Sequence, residues 1–284
     1  MPRSILPLLL ALSAAAPGDY AKGVERFRHE REAKVFGRDG WSHLAGLFFL
    51  APGVSRLGTA PGSEVRFPSG PPLAARLKVE GDTVRIEPEP GVLLEDDKGP
   101  LPGPRELKPD TSGSRDVIRV GGLALQVLKR HGRFAVRLWD NSGQGGGELE
   151  WFPIHEEYRV VATFHASPKT IPVATILGYT EPMESPGYVT FHLAGKELRL
   201  EPVLEEAGAG ELFFLFKDAT AGETTYPAGR FLYAPLPDKD RVVLDFNEAF
   251  APPCAFTRYA TCPIPPKQNQ LPLRIEAGER GLGH

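Results

Sequence analysis

The chain has 284 residues, of which 31 are Gly and 29 Pro; 41% are hydrophobic and 24% charged. Gly and Pro at this density exclude a helical bundle or coiled coil, and the apolar share excludes wholesale disorder. Lys and Arg number 33 against 36 Asp and Glu, so the basic excess expected of a nucleic-acid binder is absent.

Residues 5–16 carry no charge and follow Arg3. The run is too short to span a bilayer, which takes roughly 20 residues, but it fits the apolar region of a secretory signal with small residues at its end. Residues 1–16 are therefore expected to be a signal peptide, with a frayed N-terminal helix as the structural alternative. Residues 17–284 are expected to form a single β-rich domain, periplasmic or secreted. No later segment is long enough to insert stably in a membrane once the leader is removed.

Residues 19–36 read as a helix. Tyr20, Val24 and Phe27 share one face, Asp19 stands where an N-cap belongs, and Gly37 stands where the helix ends. The remaining Lys, Arg and Glu, including an Arg28–Glu32 pair, suggest a solvated face.

From Trp41 onward the apolar period becomes two. Residues 76–80 and 83–87 flank Gly81-Asp82, a hairpin signal. Leu77, Val79, Val84 and Ile86 are expected in the core, and the alternating charges as cross-strand ion pairs. Residues 123–128 and 134–139 form a second hairpin around His131-Gly132. Strands follow at 159–165, 173–177 and 188–193. Residues 212–216 are apolar throughout and read as a strand buried on both faces. Strands at 231–236 and 242–246 are expected to complete a meander. The fold class is mainly β: an antiparallel sandwich or barrel-like core with an N-terminal helix. A Pro-rich tail, 249–284, is expected to wrap the surface as extended chain.

The common catalytic signatures are absent. There is no Gly-x-Ser-x-Gly elbow, and the Gly run at 143–147 lacks the Lys-Ser/Thr of a phosphate cradle. The seven His residues form no metal-ligand spacing, so neither metal nor cofactor is expected. Cys254 and Cys262 do not have zinc-site spacing, and in an exported chain a disulfide is expected over two free thiols.

A polar cluster occupies the last third. Asp218 closes the buried strand, Tyr226 and Arg230 precede the next, and Asp245 and Asn247 interrupt a strand in which such residues are uncommon. Arg230, Asp245 and Asn247, joined by Arg137 and Tyr226, are candidates for holding a small polar or anionic ligand. The structural alternative is a hydrogen-bond network that fixes the tail.

The same residues carry a family likeness. Asp245-Phe246-Asn247, Pro252-Pro253-Cys254-Ala255-Phe256-Thr257, Tyr259-Ala260-Thr261-Cys262-Pro263, Asn269 and Glu276-Ala277-Gly278-Glu279 resemble the bacterial family known as domain of unknown function 1684. Upstream, Trp41, Leu44, Gly46-Leu47-Phe48 and Leu50, Arg137 with Asp140, and Asp218 through Arg230 are similar to it too, so the likeness covers about 20–278. Two departures stand out: Phe250-Ala251 replaces an expected Tyr-Asn, and Gln270 an expected Arg. The resemblance implies kinship without an established activity.

Binding of a small polar or anionic ligand is thus the leading expectation. A hydrolase using Asp218 or Asp245 as general base and a structural or partner-binding envelope protein are the alternatives.

Overall fold

The computed structural model of the protein describes residues 17–143, 146–206 and 208–281. The expected leader at 1–16, Gln144 of the Gly-rich loop and His284 lie outside the described residues. No helix among the described residues is long and apolar enough to cross a membrane.

The helix spans Pro17–Phe36. Pro is tolerated in a first turn because its missing N–H has no intrahelical partner there. The last turn closes as Gly37 N–H donates to Ala33 O at 2.9 Å. The charged face is not simply solvated. Arg31 is buried, and the expected Arg28–Glu32 pair gives way to longer-range anchors. Arg28 donates to Phe152 O at 2.9 Å, and Glu32 accepts from Leu149 N–H at 3.1 Å.

Two sheets then form a sandwich. One runs Leu44–Phe49, Arg133–Asp140, Leu123–Arg130, Val117–Val120, Glu95–Asp96, Gly99–Pro100 in spatial order. The other runs Val65–Arg66, Gly53–Gly58, Ala75–Glu80, Thr83–Pro88, Arg105–Leu107. Only the Gly53–Gly58 and Val65–Arg66 strands pair in parallel among the described residues. The turn at His131 (φ 48°) and Gly132 (φ 72°) supplies the left-handed pair that a tight hairpin needs. Leu77, Val79, Val84 and Ile86 are buried against Ile118, Leu125, Val136 and Leu138 of the facing sheet, each full burial stabilising by about 1.5–3 kcal/mol. The expected ladder of cross-strand ion pairs does not form among the described residues. The register sets Lys78 opposite Arg85, so Lys78 turns to Glu80 on its own strand (2.6 Å) while Arg76 reaches Glu89 (2.7 Å).

Beyond residue 150 a four-stranded antiparallel sheet runs Lys196–Leu200, Thr180–Leu193, Arg159–Ala174, Arg241–Asp245. The two strands expected at 159–165 and 173–177 are largely one, 16 residues long, with a register shift between Ala166 and Lys169. Pro168 lies in that gap and has no N–H to give the ladder. Glu211–Phe216 pairs along its length with Arg230–Pro235, and Phe213 adds a single antiparallel bridge to Val203. Its Leu212, Phe214 and Phe216 enter a core shared with the four-stranded sheet, and its Phe213 and Leu215 enter another with Phe231 and Phe250. Both faces are therefore buried, as the unbroken apolar run implies. The expected meander does not form: Arg241–Asp245 crosses to pair with Arg159–Ala174. No sheet among the described residues closes into a barrel.

The tail is not a surface wrap. Leu271, Ile275 and Ala277 enter one core and Ala260 and Cys262 the other. Irregular buried backbone must find side-chain partners, and Asn269 supplies them. It accepts from Glu201 N–H and donates to Glu201 O and Leu215 O, all at 2.8 Å. Nor does a disulfide join Cys254 and Cys262; both are free. The short turn Pro253–Ala255 presents the Cys254 N–H to the Cys262 sulfur, which accepts a hydrogen bond at 3.2 Å in place of a covalent bond.

Candidate functional site

The residues of the expected polar cluster fall into separate networks. Arg230 is 1% exposed and donates to Ala277 O, to Ile275 O at 2.8 Å and to Asp218 at 3.4 Å. Asp218 also accepts from Ile275 N–H at 2.7 Å and from the Thr220 hydroxyl at 2.8 Å. This pair pins the tail segment at Ile275 and Ala277 to the end of the buried strand Glu211–Phe216. Burial pushes the Arg230 pKa down, and the Asp218 carboxylate counters it.

Asp245 and Asn247 form a second network. Asp245 caps the turn Phe246–Glu248 by accepting from Asn247 N–H at 3.1 Å, and Tyr20 of the helix donates to it at 2.9 Å. Asn247 accepts from His155 N–H at 3.1 Å and donates to His155 O at 2.9 Å. Tyr226 donates its hydroxyl to Cys254 O at 3.0 Å. Asp218 and Asp245 are thus both held by backbone N–H donors, and neither lines the cleft that holds Arg137. The structural alternative describes these residues, and the general-base idea loses its geometry.

Arg137 stands elsewhere, in a cleft of about 980 Å³. One wall comes from the sandwich, with Trp41, Lys129, Arg130 and Arg137; the other from Met183, Phe213, Phe231, Tyr233 and Phe250, with Phe27 and Arg31 of the helix beside them. Strand alternation explains Arg137. Phe134, Val136 and Leu138 point into the sandwich core, so Arg137 and Trp139 point to the opposite face. That face is buried as well, leaving Arg137 8% exposed.

The other arginines of the cleft are already engaged. Arg31 pairs with Glu279 at 3.2 Å, and Arg130 pairs with Asp110 at 2.5 Å. Arg137 has no ion pair or side-chain hydrogen bond among the described residues, and its Nε is buried without a partner. Its guanidinium lies 5.0 Å from the Trp41 ring centre and 5.9 Å from that of Trp139. Desolvation, with Arg130 nearby, lowers its pKa to about 10, so it stays a cation at neutral pH. Gln126, directly opposite Arg137 in the register, has neither amide atom bonded, and the Trp139 indole N–H is also unpartnered. Buried polar groups are ordinarily bonded; of the eleven buried side-chain polar atoms without a partner among the described residues, four belong to Gln126, Arg137 and Trp139 on this one back face of the sheet.

Of the sequence candidates, Arg137 alone lines the cleft, where Cys262 of the expected bridge is also found. Gln126 and Trp139 were not singled out from sequence. Their signal was available: a Gln and an Arg alternating with core residues in two adjacent strands of a hairpin.

Residues 147–280 match the family model described as "Protein of unknown function (DUF1684)". The chain belongs to this family. Asp218, Arg230, Asp245, Asn247 and both cysteines fall within the match, whereas Trp41, Arg137 and Asp140 lie outside it. Among solved structures, the solution NMR structure of an uncharacterized protein from gene locus rrnAC0354 of Haloarcula marismortui is 31% identical. The likeness covers 48% of this chain and 77% of that one, with a TM-score of 0.41. No curated protein matches the chain.

Proposed function

We propose that the protein binds a small anionic ligand in the cleft, with Arg137 as its seat, after export by the N-terminal leader. One observation carries the binding: a guanidinium more than nine-tenths buried that lines the cleft and has no anionic partner among the described residues. An isolated buried charge costs several kcal/mol, and an incoming anion both neutralises it and accepts its hydrogen bonds. Asp110 does not serve, because Arg130 and the Lys129 backbone N–H already occupy it.

Titration calorimetry with acetate, inorganic phosphate and an uncharged amide tests the reading. At least one anion is expected to bind, the amide is not, and Arg137→Gln abolishes the signal. Binding that survives the substitution, or no anion binding at all, overturns it.

A further inference from the structure

The cleft is chemically graded, and the gradient narrows the ligand class. The basic wall is Lys129, Arg130 and Arg137 with Trp41. Next to it the lining turns apolar, with Met183, Phe213, Phe231 and Phe250. Phe213 stands edge-on to Phe231 at 4.9 Å between ring centres, and Phe231 edge-on to Phe250 at 5.9 Å, giving a continuous aromatic surface. Glu205, Glu206 and Glu211 also line the cleft. None of the three has an ion-pair partner among the described residues. Tyr233 donates to Glu205 at 2.9 Å, and burial together with Glu206 and Glu211 raises the Glu205 pKa.

We propose that the ligand is an amphiphilic monocarboxylate: its head sits on Arg137, its apolar body lies along Met183, Phe213, Phe231 and Phe250, and it bears no second negative charge. This rests on the reading of Arg137 as the anion seat. A single unpaired guanidinium matches one carboxylate in charge and in its forked geometry. A phosphate dianion needs more donors than the basic wall offers, because Arg130 and Lys129 are held by Asp110 and Asp82, and Lys34, which also lines the cleft, belongs to the helix and not to that wall. The aromatic surface rewards methylene groups by burial. The glutamates repel a second carboxylate carried at the far end of the ligand.

The test is a binding series with the full chain: acetate, hexanoate, adipate and inorganic phosphate. Hexanoate is expected to bind at least about tenfold more tightly than acetate, from partial burial of its four extra methylenes. Adipate and phosphate are expected to bind no better than acetate. Met183→Ser reduces the hexanoate advantage and leaves acetate unchanged. Glu206→Gln with Glu211→Gln, two exposed positions, improves adipate and leaves hexanoate in place. Hexanoate no tighter than acetate, or adipate or phosphate matching hexanoate, overturns the ligand class while leaving an Arg137-dependent anion site standing. Loss of every anion, or hexanoate binding unaffected by Arg137→Gln, overturns the anion seat itself.

Discussion

Arg137 and Arg230 are both arginines deep in the protein, and they differ in what surrounds them. Arg230 is closed by two carbonyls and a carboxylate, which is how a structural buried cation is kept. Arg137 lies against the Trp41 and Trp139 rings and has no carboxylate or carbonyl partner among the described residues, so it is a cost to the ligand-free fold. Replacing such a charge with an apolar side chain of similar length stabilises. Arg137→Met is expected to raise the unfolding free energy by about 1–2 kcal/mol, read from urea midpoints without ligand, whereas Arg230→Met leaves Asp218 buried and unpaired and costs about 3–5 kcal/mol. A fall in stability for Arg137→Met would show that the aromatic contacts alone justify the charge. Glu248 makes a titratable counterpart. Burial, and Asp245 beside it, raise its pKa from 4.5 to about 7. Its folded-state pKa lies above the unfolded one, so the native state holds the proton more tightly and stability falls as pH rises from about 4.5 to 7. Glu248→Gln is expected to remove that fall, making the variant more stable than the parent near pH 8 and not below pH 4.5; parallel urea curves at the two pH values check it.

Among the elements, the helix and the tail show what a sequence conceals. The hairpins were legible because alternation and turn chemistry are local: 76–80 with 83–87, and 123–128 with 134–139, lie where the pattern put them. The buried strand at 212–216 was legible from its unbroken apolar run. The destination of the helix was not, because its anchoring partners lie more than 100 residues away. Tyr20 meets Asp245, and Arg31 meets Glu279 and the Ala251 carbonyl. Arg31 looked solvent-facing by its charge, although the period of Tyr20, Val24 and Phe27 continues to position 31; it is 5% exposed, with its guanidinium 4.6 Å from the Phe250 ring centre. The candidate site was legible in type and not in place. Arg, Asp and Asn in strands do signal a polar interior, but spacing cannot say which of them have already found partners. The tail misled because Pro argues for extended chain, while burial depends on Leu271, Ile275 and Asn269 fitting cores assembled elsewhere. If the Arg31–Glu279 pair fastens the helix, Arg31→Ala costs about 3–5 kcal/mol by leaving Glu279 buried without its cation, and the double replacement Arg31→Leu with Glu279→Leu recovers most of it. A loss under about 1 kcal/mol for the single variant, the range of an exposed pair, would place the helix anchor at Tyr20 instead.

At the scale of the molecule, the helix is first in sequence yet docks on the last third, and residues 37–43 then carry the chain to the sandwich. Asp39 secures that passage. It takes a left-handed conformation (φ 58°), which Asp tolerates better than most residues. It accepts both arms of Arg119 at 3.0 and 2.6 Å and the Asn141 amide at 2.9 Å. Arg119 and Asn141 belong to the sandwich, so the clamp fixes it to the end of the helix whose other residues, Phe27 and Arg31, line the cleft opposite Arg137. The helix wall of the cleft is thus tied to the sandwich by a contact outside the cleft lining. Asp39→Ala removes a bidentate pair and a hydrogen bond and is expected to cost about 2 kcal/mol. It should also weaken hexanoate binding several-fold with Arg137 intact. Asp39→Asn, which keeps the backbone preference and part of the bonding, should lose less of both. Burial raises the Asp39 pKa, but the hydrogen bonds from Arg119 and Asn141 outweigh it and hold the carboxyl below its ordinary 3.8. The stabilisation is thus present above that value and lost as pH falls through the lower folded-state pKa. Calorimetric melting and hexanoate titration of the two variants at neutral pH decide the matter. If Asp39→Ala melts earlier but binds hexanoate as the parent does, the clamp stabilises the fold without setting the cleft.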